Sequence, residues 1–96
     1  MKLFVSEKAK RDLLRIDAYL AQRNPNVAEA IAHRIDRKLD QLLRFPFIAR
    51  ERSSLASGLR SVVVGNYLVS YVVRGDLITI VRVIDGRMDI DEEFLR

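Results

Sequence analysis

Cysteine and tryptophan are missing from this 96-residue sequence, which has one histidine, two prolines and four glycines. Without cysteine, disulfide bonds and thiolate catalysis are excluded, and a reducing cytoplasm is the natural expectation. The N-terminus, MKLFVSEKAK, has a short apolar run that charges interrupt, so it predicts neither a signal peptide nor a membrane span. A length of 96 residues predicts one domain, residues 1–96, with one core.

The charges are abundant and uneven. Residues 1–84 hold fifteen Lys or Arg against eight Asp or Glu, whereas residues 85–96 hold two against five. A basic body with an acidic tail indicates an acidic partner, either nucleic acid or protein. An ordinary solvated surface explains a net charge of +4 equally well.

Two amphipathic helices are predicted near the N-terminus. After a short strand at residues 2–5, Ser6 is a suitable N-cap, and the helix should stop at Asn24-Pro25-Asn26 because the residue before proline avoids helical geometry. The second helix should end near Phe45-Pro46-Phe47. Apolar residues recur at helical spacing along both, at Ala9, Leu13, Ile16 and Leu20, then at Val27, Ile31, Ile35, Leu39 and Leu42.

Three strands rich in Val, Ile and Tyr follow, at residues 59–64, 67–73 and 77–84. The pairs Gly65-Asn66 and Gly75-Asp76 between them are typical of two-residue hairpin turns. The fold class is therefore α+β. We expect the order β-α-α-β-β-β, with a helical hairpin on an antiparallel meander, the first strand at one edge, and a short C-terminal helix.

Two-residue turns also predict which residues share a face of the sheet. The bulkier face, assigned to the helices, carries Val62, Val64, Tyr67, Val69, Tyr71, Ile78, Ile80 and Ile84, with Arg60 and Arg82 at its margins. The other carries Leu59, Ser61, Val63, Leu68, Ser70, Val72, Thr79, Val81 and Val83. This second face is too apolar for free solvation, so it should dock a partner segment or be covered by the C-terminal helix or a further strand. A one-residue bulge would exchange the faces.

The order of elements and the residues at their ends resemble the ParE branch of the RelE/ParE toxin superfamily of bacterial type II toxin–antitoxin systems. The resemblance covers essentially the whole chain. It rests on Ala9-x-x-Asp12-Leu13-x-x-Ile16-x-x-Tyr19, Leu42-x-x-x-Pro46, Leu59-Arg60, Gly65-Asn66-Tyr67 with Tyr71, Val81-Arg82-Val83-Ile84, and the ending Gly86-Arg87-Met88-Asp89-Ile90. Many relatives have histidine where this chain has Asp85, so any role of that ring is missing here.

The resemblance implies a cytoplasmic bacterial toxin that is neutralised by a co-encoded antitoxin, whose C-terminal segment folds on the toxin. ParE-like toxins act on DNA gyrase, whereas RelE-like toxins cut mRNA in the ribosome. From the second face of the sheet we expect seven antitoxin-binding residues: Leu59, Ser61, Val63, Leu68, Ser70, Val81 and Val83. The expected target-binding residues are Arg60, Arg82, Arg87, Met88 and Asp89. Arginine offers a planar fork to carboxylate or phosphate, and methionine adapts to apolar surface. For Arg87, a structural role explains the sequence equally well: an ion pair with Asp85 or Asp89 that fastens the C-terminal helix to the sheet.

The residues favour a protein-binding toxin over an enzyme. RNA cleavage by 2′-hydroxyl attack needs a base, an acid and cations for the phosphorane charge. RelE-type enzymes place lysines and an arginine at the positions of Leu59, Ser61 and Leu68, and a tyrosine near the position of Phe94. We therefore expect no catalytic residue, metal or cofactor, no membrane contact, and nucleic acid only indirectly. A RelE-type ribonuclease and a non-toxic binding module on the same fold are the alternatives.

Overall fold

The computed structural model describes residues 1–52, 56–88 and 93. Strand β1 (Lys2–Val5) leads into helix α1 (Glu7–Arg23) and helix α2 (Pro25–Arg44), and three strands follow: β2 (Arg60–Val64), β3 (Tyr67–Arg74) and β4 (Leu77–Asp85). They form one sheet in the order β1-β4-β3-β2, in which β1 lies parallel to β4 and the other pairs are antiparallel. The predicted α+β class, element order and edge position of β1 are confirmed. The predicted C-terminal helix falls outside the described residues, apart from Glu93, which is helical.

Polar caps set the helix boundaries. The Ser6 hydroxyl accepts a hydrogen bond from the Ala9 N–H at 3.1 Å and donates one to the Val81 carbonyl at 2.9 Å. Asn24 ends α1 and caps α2, since its backbone N–H donates to the Leu20 carbonyl and its side chain accepts from Asn26 N–H at 3.1 Å. Pro25 then takes the first helical position, where its missing N–H costs no bond. None of the helices in the described part of the chain is long and apolar enough to span a bilayer.

The helical hairpin packs its predicted stripes on one face of the sheet. Ala9, Ile35 and Leu42 are buried there against Tyr71 and Ile78. The Tyr71 hydroxyl donates to the Pro46 carbonyl at 2.8 Å, which ties the centre of the sheet to the end of α2. Burial raises the pKa of this phenol, so it stays a hydrogen-bond donor.

Both hairpin turns have two residues, as predicted. Gly65 and Gly75 have φ of +60° and +59°, and no described residue other than glycine has positive φ, which is the pattern of type II′ turns. The first hairpin has the predicted register, with Val62 opposite Val69 and Arg60 opposite Tyr71. The predicted faces of β2 therefore agree with the pairing observed in the structure.

The second hairpin has the predicted register only near its turn, where Val72 pairs with Thr79. Beyond Tyr71, opposite Ile80, the next pair is Ser70 with Arg82, so Val81 is an extra residue that makes a bulge in β4. The face assignments beyond this point were wrong. Val83 pairs with Val69 and lies in the core, whereas Ile84 pairs with Leu68 and Arg82 with Ser70 on the opposite face.

We predict that Ser6→Ala lowers the free energy of unfolding by about 1 to 2 kcal/mol, because it removes both a helix cap and a bond to the bulged strand. Urea denaturation measures the change. Ser6→Asp, which can cap but cannot donate to Val81, should recover part of the loss. Equal stability of the wild type and Ser6→Ala would contradict this role.

Candidate functional site

A buried ion pair joins α1 to the middle of β4. Arg82 donates from Nε to Oδ2 of Asp12 at 2.8 Å and from Nη2 to Oδ1 at 3.0 Å. Oδ2 also accepts the backbone N–H of Val83 at 2.9 Å. Asp12 and Arg82 are 3% and 5% exposed, and the hydrogen bonds that Arg82 donates to Asp12 raise the pKa of Arg82, which stays charged.

The position of Asp12 follows from where β1 ends. Beyond Val5, the Ser6 N–H still donates to the Ile80 carbonyl at 3.0 Å, and the chain then turns into α1. No strand within the described ranges continues along the edge of β4 beyond Val81, and Asp12 supplies the acceptor that a strand would have provided. Arg82 also donates to the Glu93 carbonyl. Because the side chain is buried and engaged within the protein, the structure does not support the prediction that Arg82 contacts a target.

Arg60 lies at the other end of the sheet. Its Nη1 donates to the Ala49 carbonyl at 2.7 Å, and its guanidinium lies 5.0 Å from the centre of the Phe47 ring. These contacts hold the chain that follows α2. Arg60 is paired with Tyr71 on the helix side, whereas Arg82 is paired with Ser70 on the opposite side, so the two arginines do not share a cleft.

Arg87 lies in a tight turn after β4. The N–H of Gly86 donates to the Asn66 carbonyl at 2.6 Å, so this turn packs closely against the β2–β3 turn. A Cβ atom at position 86 would lie only 3.0 Å from the same oxygen, which favours glycine there. Arg87 donates from Nε and from its backbone N–H to Asp85 Oδ1, both at 3.0 Å, and from Nη2 to Oδ2 at 2.7 Å. The side-chain bond from Arg87 lowers the pKa of Asp85. The Arg87–Asp85 clasp is therefore present, while Asp89 lies outside the described residues.

A cleft of about 260 Å³ lies beside this turn, between α1 and the end of β4. Tyr19, Tyr67 and Met88 line it together with the Asp12–Arg82 pair. Arg23 stacks on the Tyr19 ring at 3.8 Å, and burial raises the pKa of Tyr67, so this phenol is not a base at neutral pH. Among the described residues, no group of three His, Asp or Glu is placed to hold a metal ion.

The second face of the sheet has few groups that could contact a partner. Leu59 and Leu68 are buried, and the hydroxyls of Ser61 and Ser70 lie 3.1 Å apart in a mutual hydrogen bond. Of the predicted antitoxin-binding residues, Val83 lies in the core, Ser70 is buried, Ser61 and Val81 are half-buried, and Val63 is 66% exposed. These contacts leave Val63, on the edge strand, as the most accessible member of the predicted set.

The sequence analysis did not predict two features of the structure. Asp12 follows Ala9 by three residues and precedes Ile16 by four, so it lies on the buried stripe, and a charge there signals a buried partner. The second feature is an apolar groove of about 270 Å³ between α1 and α2, lined by Leu13, Ile16, Leu20, Ile31, Ile35 and Leu39 and bordered by the exposed Leu14. Its walls are the same stripes that the sequence assigns to the core.

Comparison with known proteins defines the class. Residues 3–90 match the model of a family described as the ParE toxin of the type II toxin–antitoxin system, parDE. Toxin ParE3 of Caulobacter vibrioides is 36% identical over 80 residues, which cover 82% of this chain and 80% of that protein. A solved structure of the chromosomal ParDE TA system from P. aeruginosa superposes with a TM-score of 0.75, covering 88% of this chain and 95% of that chain at 23% identity.

Fold and sequence thus define a toxin of a type II toxin–antitoxin system. More particularly, the chain belongs to the ParE toxin family. The resemblance drawn from the motif order, above all from the ending Gly86-Arg87-Met88-Asp89-Ile90, is confirmed.

We predict that Asp12→Ala lowers the free energy of unfolding by about 3 to 5 kcal/mol, because it removes the carboxylate that makes two hydrogen bonds with a buried guanidinium. Asp12→Asn, which keeps an acceptor for the Val83 N–H, should be milder. The double variant Asp12→Ala/Arg82→Met should be more stable than Asp12→Ala alone, and urea denaturation of the wild type, Asp12→Ala, Arg82→Met and the double variant measures the coupling. Additive losses would contradict a coupled pair.

Proposed function

We propose that this protein inhibits growth by binding DNA gyrase without catalysing a reaction, and that a co-encoded antitoxin neutralises it in the bacterial cytoplasm. The observation that carries the non-enzymatic part is the state of Leu59, Ser61 and Leu68. At these positions of the sheet, where the ribonuclease branch places cations, the side chains are two buried leucines and a serine bonded to Ser70. Such groups cannot neutralise the charge of a phosphorane.

The separation of the arginines supports the same proposal. A nuclease needs cations that converge on one phosphate beside a general base. Here Arg82 is engaged by Asp12, Arg60 by Ala49 and Phe47, and Arg87 by Asp85. The cleft between α1 and the end of β4 is lined by Arg82 but by neither Arg60 nor Arg87. The Tyr67 phenol in that cleft has a raised pKa, so it is not a general base at neutral pH.

The turn after β4 is the surface that best suits a macromolecular target. Arg87 and Met88 are both exposed, and the Asp85 clasp fixes the guanidinium in one orientation. A fixed side chain loses less conformational entropy on binding than a free one. The clasp and a target-binding role are therefore compatible, because the outer side of the guanidinium still faces solvent.

The groove between α1 and α2 is the surface that best suits the antitoxin. It is the most apolar of the described cavities, and Leu14 beside it is 72% exposed. A neutralising segment with apolar side chains at helical spacing would cover Leu14 and fill the groove. Val63 on the edge of the sheet is the alternative contact, since it is the most exposed of the predicted antitoxin-binding residues.

We predict that the purified protein blocks gyrase supercoiling or traps cleaved DNA.

We also predict that Arg87→Ala lowers toxicity more than it lowers the melting temperature. The reason is that the hydrogen bonds of Arg87 within the described chain all go to Asp85, two residues away. Gyrase assays and growth after induction measure toxicity, and thermal unfolding measures the structural cost. Arg74→Ala, at an exposed hairpin turn, is the matched control.

Full supercoiling at excess protein would contradict the gyrase target. Comparable losses of toxicity and melting temperature in Arg87→Ala would assign Arg87 to the clasp alone. Cleaved mRNA in a translating extract would establish the ribonuclease alternative, and harmless induction without antitoxin would establish a non-toxic binding module.

We predict that Leu14→Glu leaves toxicity intact but prevents rescue by the co-expressed antitoxin, because a carboxylate would be buried in an apolar contact. Growth after dual induction measures rescue. Val63→Glu, at a similarly exposed apolar residue on the sheet edge, is the matched control and should still be rescued. The reverse pattern would place the antitoxin on the sheet.

A further inference from the structure

The cleft between α1 and the end of β4 contains a phenol hydroxyl that the fold does not use. Tyr67 packs in the hydrophobic core and is 5% exposed, yet its hydroxyl makes no hydrogen bond to any described residue. Every fully buried side-chain nitrogen and oxygen in the described chain has a partner. The Tyr67 hydroxyl is therefore open to the cleft that its side chain lines.

A second tyrosine on the same side of β3 shows the contrast with a structural phenol. Tyr71 lies four residues beyond Tyr67, is 0% exposed, and donates its hydroxyl to the Pro46 carbonyl at 2.8 Å. Buried hydroxyls are bonded in this way because an unmade hydrogen bond costs the free energy of removing the group from water. The hydroxyl of Tyr67 is thus suited to an acceptor that a binding partner supplies.

The Tyr67 hydroxyl is a hydrogen-bond donor at neutral pH. Burial is the main cause that raises its pKa; the charge of Asp85 adds to this effect and the charge of Arg87 opposes it. The phenol therefore lies within electrostatic reach of the turn that carries Arg87. Met88 of the same turn lines the cleft, so the cleft is continuous with the proposed target-binding surface.

The charges around the cleft favour a neutral occupant over a phosphate. The charged residues among its described lining are Asp12, Arg15, Arg82, Asp85 and Glu93. These are two cations and three anions, and Arg87 beside the cleft supplies a third cation. Since the formal charges cancel, the backbone of a nucleic acid gains no net attraction here. A peptide carbonyl needs only the donor that Tyr67 offers.

The size and walls of the cleft fit one side chain of a protein. Its volume of about 260 Å³ lies below the range of about 300–1,000 Å³ that is common for small-molecule sites. The residues that bind most strongly at protein interfaces are aromatic or arginine side chains that fill small, well-packed pockets. Apolar and aromatic side chains form most of the described wall: Ile16, Tyr19, Tyr67, Val83, Ile84 and Met88.

Tyr19 forms the exposed wall of the cleft and is held in place. The ring is 48% exposed, and the Arg23 guanidinium stacks on it at 3.8 Å from its centre. Arg23 also donates from Nη1 to the Tyr19 carbonyl at 3.4 Å. A ring that is restrained before binding loses less conformational entropy when a partner covers it.

We propose that this cleft receives an apolar side chain of the protein target, and that the Tyr67 hydroxyl donates to a peptide carbonyl next to that side chain. This assignment rests on the proposed function, because it adds contacts to the same target, DNA gyrase. It extends the target-binding surface from Arg87 and Met88 onto α1 and β3. Tyr67 is then a specificity-determining residue, since a segment without an acceptor at that place leaves the hydroxyl unpaired.

Tyr67→Phe tests the hydrogen bond, because it removes the hydroxyl alone. We expect the concentration that inhibits gyrase supercoiling to rise about fivefold, the effect of one net hydrogen bond, with no change in melting temperature. Tyr71→Phe is the matched control. It removes a hydroxyl that bonds within the fold, so it should lower the melting temperature and leave inhibition by the folded protein close to that of the wild type.

Tyr19→Ala tests the wall of the cleft. We expect the inhibitory concentration to rise about tenfold, because an exposed aromatic wall of the pocket is lost. Gln22→Ala is the matched control, since Gln22 is exposed three residues further along α1 and lines none of the described cavities. It should inhibit gyrase like the wild type. Circular dichroism establishes that all variants are folded.

The outcomes separate this cleft from the gyrase target. If the wild type inhibits gyrase and both Tyr67→Phe and Tyr19→Ala inhibit it equally well, the cleft assignment is wrong and the target stands. If the wild type does not inhibit gyrase, the target is wrong, and growth after induction becomes the measurement for the cleft. Reduced toxicity of both variants then supports the cleft with another protein target, whereas unchanged toxicity, or a harmless wild type, overturns it.

Two further results would assign the cleft to a different occupant and so overturn the proposal. The first is unchanged gyrase inhibition by Tyr67→Phe together with loss of rescue by the co-expressed antitoxin, which would place the antitoxin in the cleft. The second is binding of a labelled DNA duplex in the absence of gyrase that Tyr67→Phe weakens, measured by fluorescence anisotropy, which would place a nucleic acid there.

Discussion

The ion pair between Asp12 and Arg82 is the constraint on which the rest of this structure depends. It joins the first helix to the last strand across 70 residues of sequence, at the place where β1 no longer covers the edge of β4. A buried pair of charges adds little net stability compared with apolar residues of the same size. Its effect is to select one arrangement, because any other placement of α1 would leave the guanidinium without its carboxylate partner on α1 and the Val83 N–H without its acceptor.

The bulge at Val81 and the ion pair depend on each other. In a regular hairpin, Arg82 would lie opposite Val69 on the face that packs against the helices, next to Tyr71 and Ile80. These neighbours are a phenol and an aliphatic side chain, and neither offers a carboxylate to the guanidinium. One extra residue moves Arg82 to the other face and brings Val83 into the core in its place. The cost of an unpaired buried charge therefore explains why the strand is irregular here.

This coupling also explains which features the sequence could predict. Helix ends, turns and the first hairpin depend on local signals, such as Ser6, Pro25 and the glycines at positive φ, and these were read correctly. The register beyond Tyr71 depends on a contact between Asp12 and Arg82, which lie far apart in sequence. Local pattern placed Arg82 at the margin of the core face, and it left Asp12 out of the stripe that Ala9, Leu13, Ile16 and Leu20 define. A charge in the middle of an apolar strand run, read together with an acid on a buried helix face, would have indicated both the pair and the bulge.

The interaction surfaces were harder to predict because burial decides which residues can meet a partner. Leu59, Leu68 and Ser70 have the composition of a docking face, yet they are buried and their polar atoms are satisfied within the described chain. The accessible features lie elsewhere, at the turn that carries Arg87 and in the groove between the helices. A small domain with one core can present separate surfaces in this way, since each uses the outer side of an element whose inner side holds the fold. The ion pair thus bears on function indirectly, because it fixes α1 against β4 and so sets the position of the turn that carries Arg87 relative to the helical groove.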